Sequence, residues 1–418
     1  MKRTAIAVAL FVGVTLAAFL RDPGLFITPR FWAEEGASYF QSAVSRGTLD
    51  GLLNLAAAPH NSYFHALPLA ATVLAAHAVP LEFAPFVTTL AWVAVFCVFE
   101  AAVLTSHAAF LESWPVRTLV AASPLLAVGA AENWANTLGA HFYLDVAMLL
   151  LLLEGERATG PRRAVDVWFF ALFAIASPTS FVLLPAVLLL GLSDWRRHRP
   201  FALTLAAVAL FQASVHWTAF SSSSRAAPDA AAIPHVVVVK LLAWPFLGRA
   251  AADAYGDLVS RLAPASFAFT AFGAASTVAV LLLVAARAAR PDSTSRVLAM
   301  TWCAAGLAYV TLGLRVGREQ LSAVNGGRYA FLPSLLLIAF LAHQALSPGR
   351  SRRARAAWAV PLALVVITGM REYSFSGDVG VVIRGAPWRT EVERFRRDAT
   401  YETLRIAPIP WVVKMPAR

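Results

Sequence analysis

The feature that most limits what this chain can become is a succession of apolar runs joined by short arginine-rich connectors. The runs lie near 4–20, 83–105, 117–131, 140–153, 165–177, 179–192, 201–219, 266–286, 298–314, 329–346 and 357–370. A helix crossing a bilayer needs about 20 apolar residues, and several runs are shorter, which suits a bundle with funnel-like entrances. Of 418 residues, 59% are hydrophobic and 14% charged, and the mean hydropathy is +0.64. No water-soluble surface has that make-up, so the chain reads as an all-α polytopic membrane protein.

The formal charge of +11 does not point to nucleic acid, because the basic residues sit in small clusters between apolar runs. Arginine outnumbers lysine and alanine abounds, a bias of GC-rich bacterial genomes. Cys97 and Cys303 both fall inside apolar runs, which argues against a disulfide or a thiolate metal site. Met1-Lys2-Arg3 followed by apolar residues to Leu20 has the shape of a signal sequence. No small-x-small cleavage site precedes Arg21, so the segment is expected to remain as an anchor.

Topology turns on residues 62–80, which are also apolar. The connectors Arg157/Arg162/Arg163, Arg196/Arg197/Arg199, Arg287/Arg290/Arg296 and Arg350/Arg352/Arg353/Arg355 should all lie in the cytoplasm. With Met1 inside, that holds only if 62–80 lies at the outer interface and does not cross. The run 236–248, broken by Lys240 and Pro245, is set aside in the same way. About 11 transmembrane helices result, with a cytoplasmic N-terminus. The expected layout is a bundle over 1–370 with outer loops 21–82 and 220–265, and a small extracytoplasmic tail over 371–418. The tail's own arginines (Arg389, Arg394, Arg396, Arg397) favour the cytoplasm, but long segments obey the charge rule less strictly. No internal repeat is visible, which weighs against an inverted-repeat transporter.

Polar residues concentrate in the outer segments. Glu34 and Glu35 follow the first run, beside Phe31-Trp32 and Tyr39-Phe40. Adjacent carboxylates in a partly desolvated loop can share a divalent cation, Mg or Mn, or divide the work of ligand and general base. Their plain alternative is a solvated pair near a helix N-terminus. Residues 36–55 alternate as an amphipathic helix, with Tyr39, Phe40, Ala43 and Val44 on one face, suited to lie along a membrane surface. Glu132, Asn133 and Asn136, with His141 and Asp145 behind, form a second polar group between apolar runs. It could bind a sugar or supply a ligand, or it could simply cap helix ends. Arg315 and Arg318 precede Asn325-Gly326-Gly327-Arg328-Tyr329, a tight turn entering an apolar run. Arginines there can hold a phosphate, or they can snorkel at the interface as Arg and Tyr commonly do. His60 and His65 are weaker candidates, more simply read as interfacial histidines.

Together these features resemble the GT-C class of integral-membrane glycosyltransferases. The resemblance rests on the first-loop acids Glu34-Glu35, an interfacial helix in that loop, the Glu132 region, and Arg328-Tyr329. It implies transfer of a sugar from a polyprenyl-phosphate donor to a glycan, lipid or protein acceptor at the outer face of the cytoplasmic membrane. It also implies Glu34/Glu35 as base or metal ligand and Arg328 as phosphate ligand. The family's acidic pairs usually contain Asp, whereas both are Glu here. A lipid-linked saccharide translocase or polymerase would use the same residues to line a path.

A reporter active only in the cytoplasm, fused after residue 160 or 353, is expected to be active at both sites. Silence at either would overturn the parity.

Overall fold

The computed structural model describes residues 2–46, 64–154, 160–220, 229–288, 292–308, 318–323, 325–348, 350–373, 385–398 and 400–416. Among them, five helices are long and apolar enough to cross a membrane: α1 (Lys2–Arg21), α2 (Ala84–Thr105), α3 (Thr137–Glu154), α4 (Arg328–Leu346) and α5 (Arg352–Arg371). The protein is thus a helical one of membrane type. α3 and α4 are apolar on every side and buried for almost their whole length, as a helix without a polar face must be. α1 and α5 are peripheral, and α1 turns Val8, Val12, Leu16 and Leu20 outward.

Other apolar runs take different forms. Residues 66–77 make a 12-residue helix, about 18 Å long at 1.5 Å per residue and shorter than the hydrocarbon core. The run 117–131 is not one helix. Trp114–Ala121 and Ser123–Leu126 are separate pieces, followed by an extended Ala127. Pro124 has no N–H to continue the ladder, and the Val120 carbonyl accepts the Ser123 hydroxyl at 2.7 Å. Gly160–Ala176, Leu184–Ser193 and Ser293–Ala308 hold 17, 10 and 16 residues. Trp195–Phe220 and Pro264–Ala288 are continuous helices of 26 and 25 residues. The amphipathic stretch begins as a wide π-turn, Glu35–Phe40, and continues as Gln41–Arg46, with Tyr39, Phe40 and Ala43 buried. Its second half lies outside the described residues.

Among the described residues, the tail adds one small hairpin to an otherwise all-α structure. Helix Trp388–Arg397 is followed by an antiparallel hairpin, β1 (Thr403–Arg405) with β2 (Val412–Lys414), in the register Leu404↔Val413. This small unit docks on the first loop. Trp32 bridges Ala407, the Ala33 N–H donates to the Ala407 carbonyl at 2.6 Å, and the Lys414 N–H donates to Gln41 Oε1 at 2.9 Å. Phe31, Phe40 and Trp388 pack with ring centroids 4.3–5.9 Å apart. The Trp388 indole N–H donates to the Leu81 carbonyl at 2.7 Å, fixing the unit to the start of α2.

Glu391 holds the tail unit together. It accepts from the Arg405 N–H and guanidinium, each at 2.9 Å, and from the Tyr401 hydroxyl. Burial alone would raise its carboxyl, but these donors together hold it below the ordinary range. A depressed carboxyl stabilises the fold above its unfolded-state value and loses that contribution as pH falls through the folded one. Limited proteolysis should therefore leave the tail intact near neutrality and cut it increasingly below about pH 4. Glu391→Gln should be cut readily already at pH 7.

Candidate functional site

Glu34 and Glu35 are separated by the backbone that carries them. Ala33 takes a left-handed φ of 40°, a strained conformation for a residue with a Cβ, imposed where Trp32 and Ala33 pair with Ala407. The π-turn begins immediately after, and the two carboxylates go separate ways. Glu35 is fully buried. Its Oε1 accepts the Thr137 N–H at 2.8 Å and the Thr137 hydroxyl at 2.5 Å, and its Oε2 accepts the Trp32 N–H at 3.3 Å. Thr137 is the first residue of α3, so Glu35 caps that helix from a distant segment, where the dipole favours an anion. Desolvation raises its carboxyl above the ordinary value, with the Thr137 donors, Trp32 and buried Arg30 pulling the other way.

Glu34 faces a cavity of about 280 Å³ lined also by Trp32, Glu132, Asn325, Arg328 and Tyr329. Its Oε2 lies 3.6 Å from the Arg328 guanidinium, and both side chains are about a quarter exposed. Arg328 opens α4, donates to the Tyr329 hydroxyl at 3.1 Å and stacks 5.0 Å over that ring. Glu132 Oε1 accepts the Gly327 N–H at 2.9 Å, capping α4 as Glu35 caps α3. Burial raises the Glu132 carboxyl, offset in part by Arg328, Lys240 and the Gly327 donor.

One close approach makes this convergence possible. A Cβ on Gly129, whose φ is +73°, would sit 2.1 Å from the Gly327 carbonyl oxygen. Asn133 bridges the same crossing, its amide donating to the Gly129 and Arg328 carbonyls at 3.1 and 3.2 Å. Asn136 is spent on its own turn, donating to the Glu132 carbonyl and accepting from the Gly139 N–H. No family model, curated protein or solved structure matches this chain. Its chemistry is therefore read from the cavity itself.

The other sequence-predicted residues divide. Asn325 and Tyr329 line the cavity. His65 and His141 meet edge to face at 4.9 Å, and neither lines it. His141 Nδ1 lies 2.7 Å from the Leu138 carbonyl, which only an N–H can satisfy, so Nε2 carries the lone pair. Burial depresses His65 well below the ordinary histidine value, aided by His141 and Arg328. Asp145 accepts from the Ser177 and Thr179 hydroxyls at 2.6 and 2.8 Å. Arg318 begins a short 3-10 turn, Arg318–Leu321. His60 and Arg315 lie outside the described residues.

Both Glu35 oxygens accept protein donors, from Thr137 and Trp32, so Glu34 is the carboxylate of the pair that faces the cavity. Among the described residues, no three His, Cys, Asp or Glu side chains gather as a metal site.

Sequence reasoning gave no role here to four residues. Pro408 and Trp411 bring the tail hairpin to the cavity wall. Lys240, passed over as an interruption in an apolar run, donates to the Ser322, Ala323 and Asn325 carbonyls at 2.6–2.7 Å. Asp253 accepts the Ala323 N–H at 2.7 Å on the same loop. A lone lysine amid apolar residues was the available signal.

The different burial of the acids sets different costs. Glu35→Ala strands the Thr137 donors and should lower stability by about 2–3 kcal/mol. Glu34→Ala, losing a part-exposed ion pair, should cost less than about 1 kcal/mol. Thermal unfolding in detergent measures both, and equal losses would contradict the division.

Proposed function

We propose that this protein is a membrane glycosyltransferase of GT-C type. It moves a sugar from a polyprenyl-phosphate donor to a glycan, lipid or protein acceptor at the outer face of the cytoplasmic membrane. The observation that carries the reading is the Glu34–Arg328 pair, 3.6 Å apart in one cavity with Glu132. An acid able to take a proton and an arginine able to hold a phosphate are the two groups that such a transfer needs.

In the proposed reaction the donor phosphate replaces Glu34 as the partner of Arg328, which releases the carboxylate to face the acceptor. The acceptor hydroxyl attacks the anomeric carbon and passes its proton to Glu34. The bond from that carbon to the phosphate oxygen breaks, and its electron pair stays on the polyprenyl phosphate beside Arg328. Glu35 and Glu132 hold the helix ends and take no part in bond making. Tyr329 and Asn325 complete the phosphate and sugar side of the cavity. The full topology proposed with this reading has about 11 spans, a cytoplasmic N-terminus and membrane lipids as the surroundings.

Purified protein given undecaprenyl-phosphate-linked monosaccharides should release undecaprenyl phosphate in the presence of an acceptor. Glu34→Gln should lower kcat by about 10²–10⁴-fold, the usual contribution of a positioned base. Arg328→Ala should raise KM as well as lower kcat. Undiminished turnover in Glu34→Gln would end the catalytic reading. Donor binding without release in the wild type would favour a translocase.

A further inference from the structure

The cavity lining draws on two unlike groups of residues. One is polar, with Glu34, Glu132 and Arg328. The other comes from the C-terminal hairpin, which contributes Pro408 and Trp411. Trp411 keeps 37% of its surface exposed, although the strand and loop around it are firmly held. Its own N–H donates to the Pro408 carbonyl at 2.9 Å, and its carbonyl accepts the Ile406 N–H at 3.0 Å. The neighbouring Ala407 is locked to the first loop on both sides, through the Ala33 N–H and the Phe31 carbonyl. Close packing completes the clamp, because a Cβ on Gly36 would lie 2.6 Å from Ile406 and one on Gly385 would lie 2.7 Å from Ala407.

A large aromatic side chain that is fixed at its backbone yet exposed at a cavity wall is an unusual use of apolar surface. Trp411 contributes to the lining of a cavity that also holds Glu34, Glu132 and Arg328. The indole face carries negative quadrupolar charge, and a sugar ring presents a face of weakly positive C–H groups with hydroxyls around its rim. Such a ring lies flat on an indole, while its hydroxyls and anomeric phosphate reach the carboxylates and the arginine. The size agrees. At about 280 Å³ the cavity falls at the lower edge of ligand sites, which run from about 300 to 1,000 Å³. That leaves room for a single ring with its phosphate.

We propose that Trp411, carried by the C-terminal hairpin, is the platform on which the donor sugar ring stacks. This rests on the glycosyltransferase reading. It adds to that reading a role for the tail hairpin, since Trp32, which also lines the cavity, is only 3% exposed.

The test is binding to the full-length protein in nanodiscs. The probes are undecaprenyl phosphate alone and undecaprenyl phosphate carrying glucose, mannose or arabinose. In the wild type the best sugar-bearing lipid should bind at least about 10-fold tighter than the bare lipid. Trp411→Ala should remove most of that difference and leave the bare-lipid affinity within about 2-fold. Trp411→Phe, which keeps a flat ring, should retain most of it, and Arg328→Ala should weaken both lipids alike. Loss of both affinities in Trp411→Ala would overturn the platform, because Trp411 would then hold the lipid or the fold. Unchanged sugar preference in Trp411→Ala would also overturn it. Equal binding of bare and sugar-bearing lipids by the wild type would do the same while leaving the phosphate site standing. Failure of the wild type to bind any of these lipids would instead remove the glycosyltransferase reading, and the platform with it.

Discussion

The structure depends on two carboxylates seated at the N-termini of its two most buried helices. The amide groups that open a helix have no partner within it, and in a low-dielectric interior an unpaired donor costs about 1–3 kcal/mol. α3 and α4 both begin inside the protein, so neither can leave that need to water. Glu35 meets it for α3 through Thr137, and Glu132 meets it for α4 through Gly327. Each cap comes from another part of the chain, so each also ties a loop to a helix start. The first loop is thereby fixed to α3, and the Glu132 segment to α4. Glu34 and Arg328 meet because these two attachments bring their backbones together.

A second set of restraints shapes the walls. Lys240 gathers three carbonyls of the segment before α4, and Asp253 takes an amide of the same segment. A buried lysine is expensive unless all its donors are used, and here they are. The tail hairpin pairs with the first loop and holds Ala33 in a conformation that its side chain disfavours. Strain of that kind persists only where surrounding contacts determine it, and it lies one residue before the carboxylate that faces the cavity. The loop geometry is thus a property of the termini acting together, since residues 31–33 and 407 are far apart in sequence.

Much of this was legible in the chain, and the remainder was hidden for identifiable reasons. The apolar runs announced a helical membrane-type protein, because composition and run length are local properties. The polar stretches around Glu34, Glu132 and Arg328 were noticed because charge between such runs is rare. Their meeting was argued from loop parity, although the run 117–131 used in that count proves to be two short helices broken at Pro124. Which of Glu34 and Glu35 faces the cavity was not legible. It depends on a π-turn over Glu35–Phe40 and on a positive φ at Ala33, where the backbone pairs with Ala407. The hairpin was missed because its strands are three residues each and alternate too briefly to register. Lys240 reads in the sequence as an interruption of an apolar run, since its partners are carbonyls and no sequence pattern marks those.

The division between the two glutamates has an energetic consequence for where chemistry can occur. Recruiting Glu35 as a base would strip the Thr137 amide and hydroxyl of their acceptor inside the protein, at about 1–3 kcal/mol for each stranded donor. Glu34 carries no such obligation. Its pairing with Arg328 is long at 3.6 Å and part-exposed, and ion pairs of that kind contribute about 0–1 kcal/mol. A phosphate offers the guanidinium two short charge-assisted hydrogen bonds, so on the proposed reading it displaces Glu34 at little cost. The displaced carboxylate is then free to turn from the guanidinium toward the acceptor side of the cavity. Donor binding would thus prepare the base as well as position the leaving group. That coupling requires an acid released from structural duty, and of the pair Glu34 and Glu35 it is Glu34 that meets the condition.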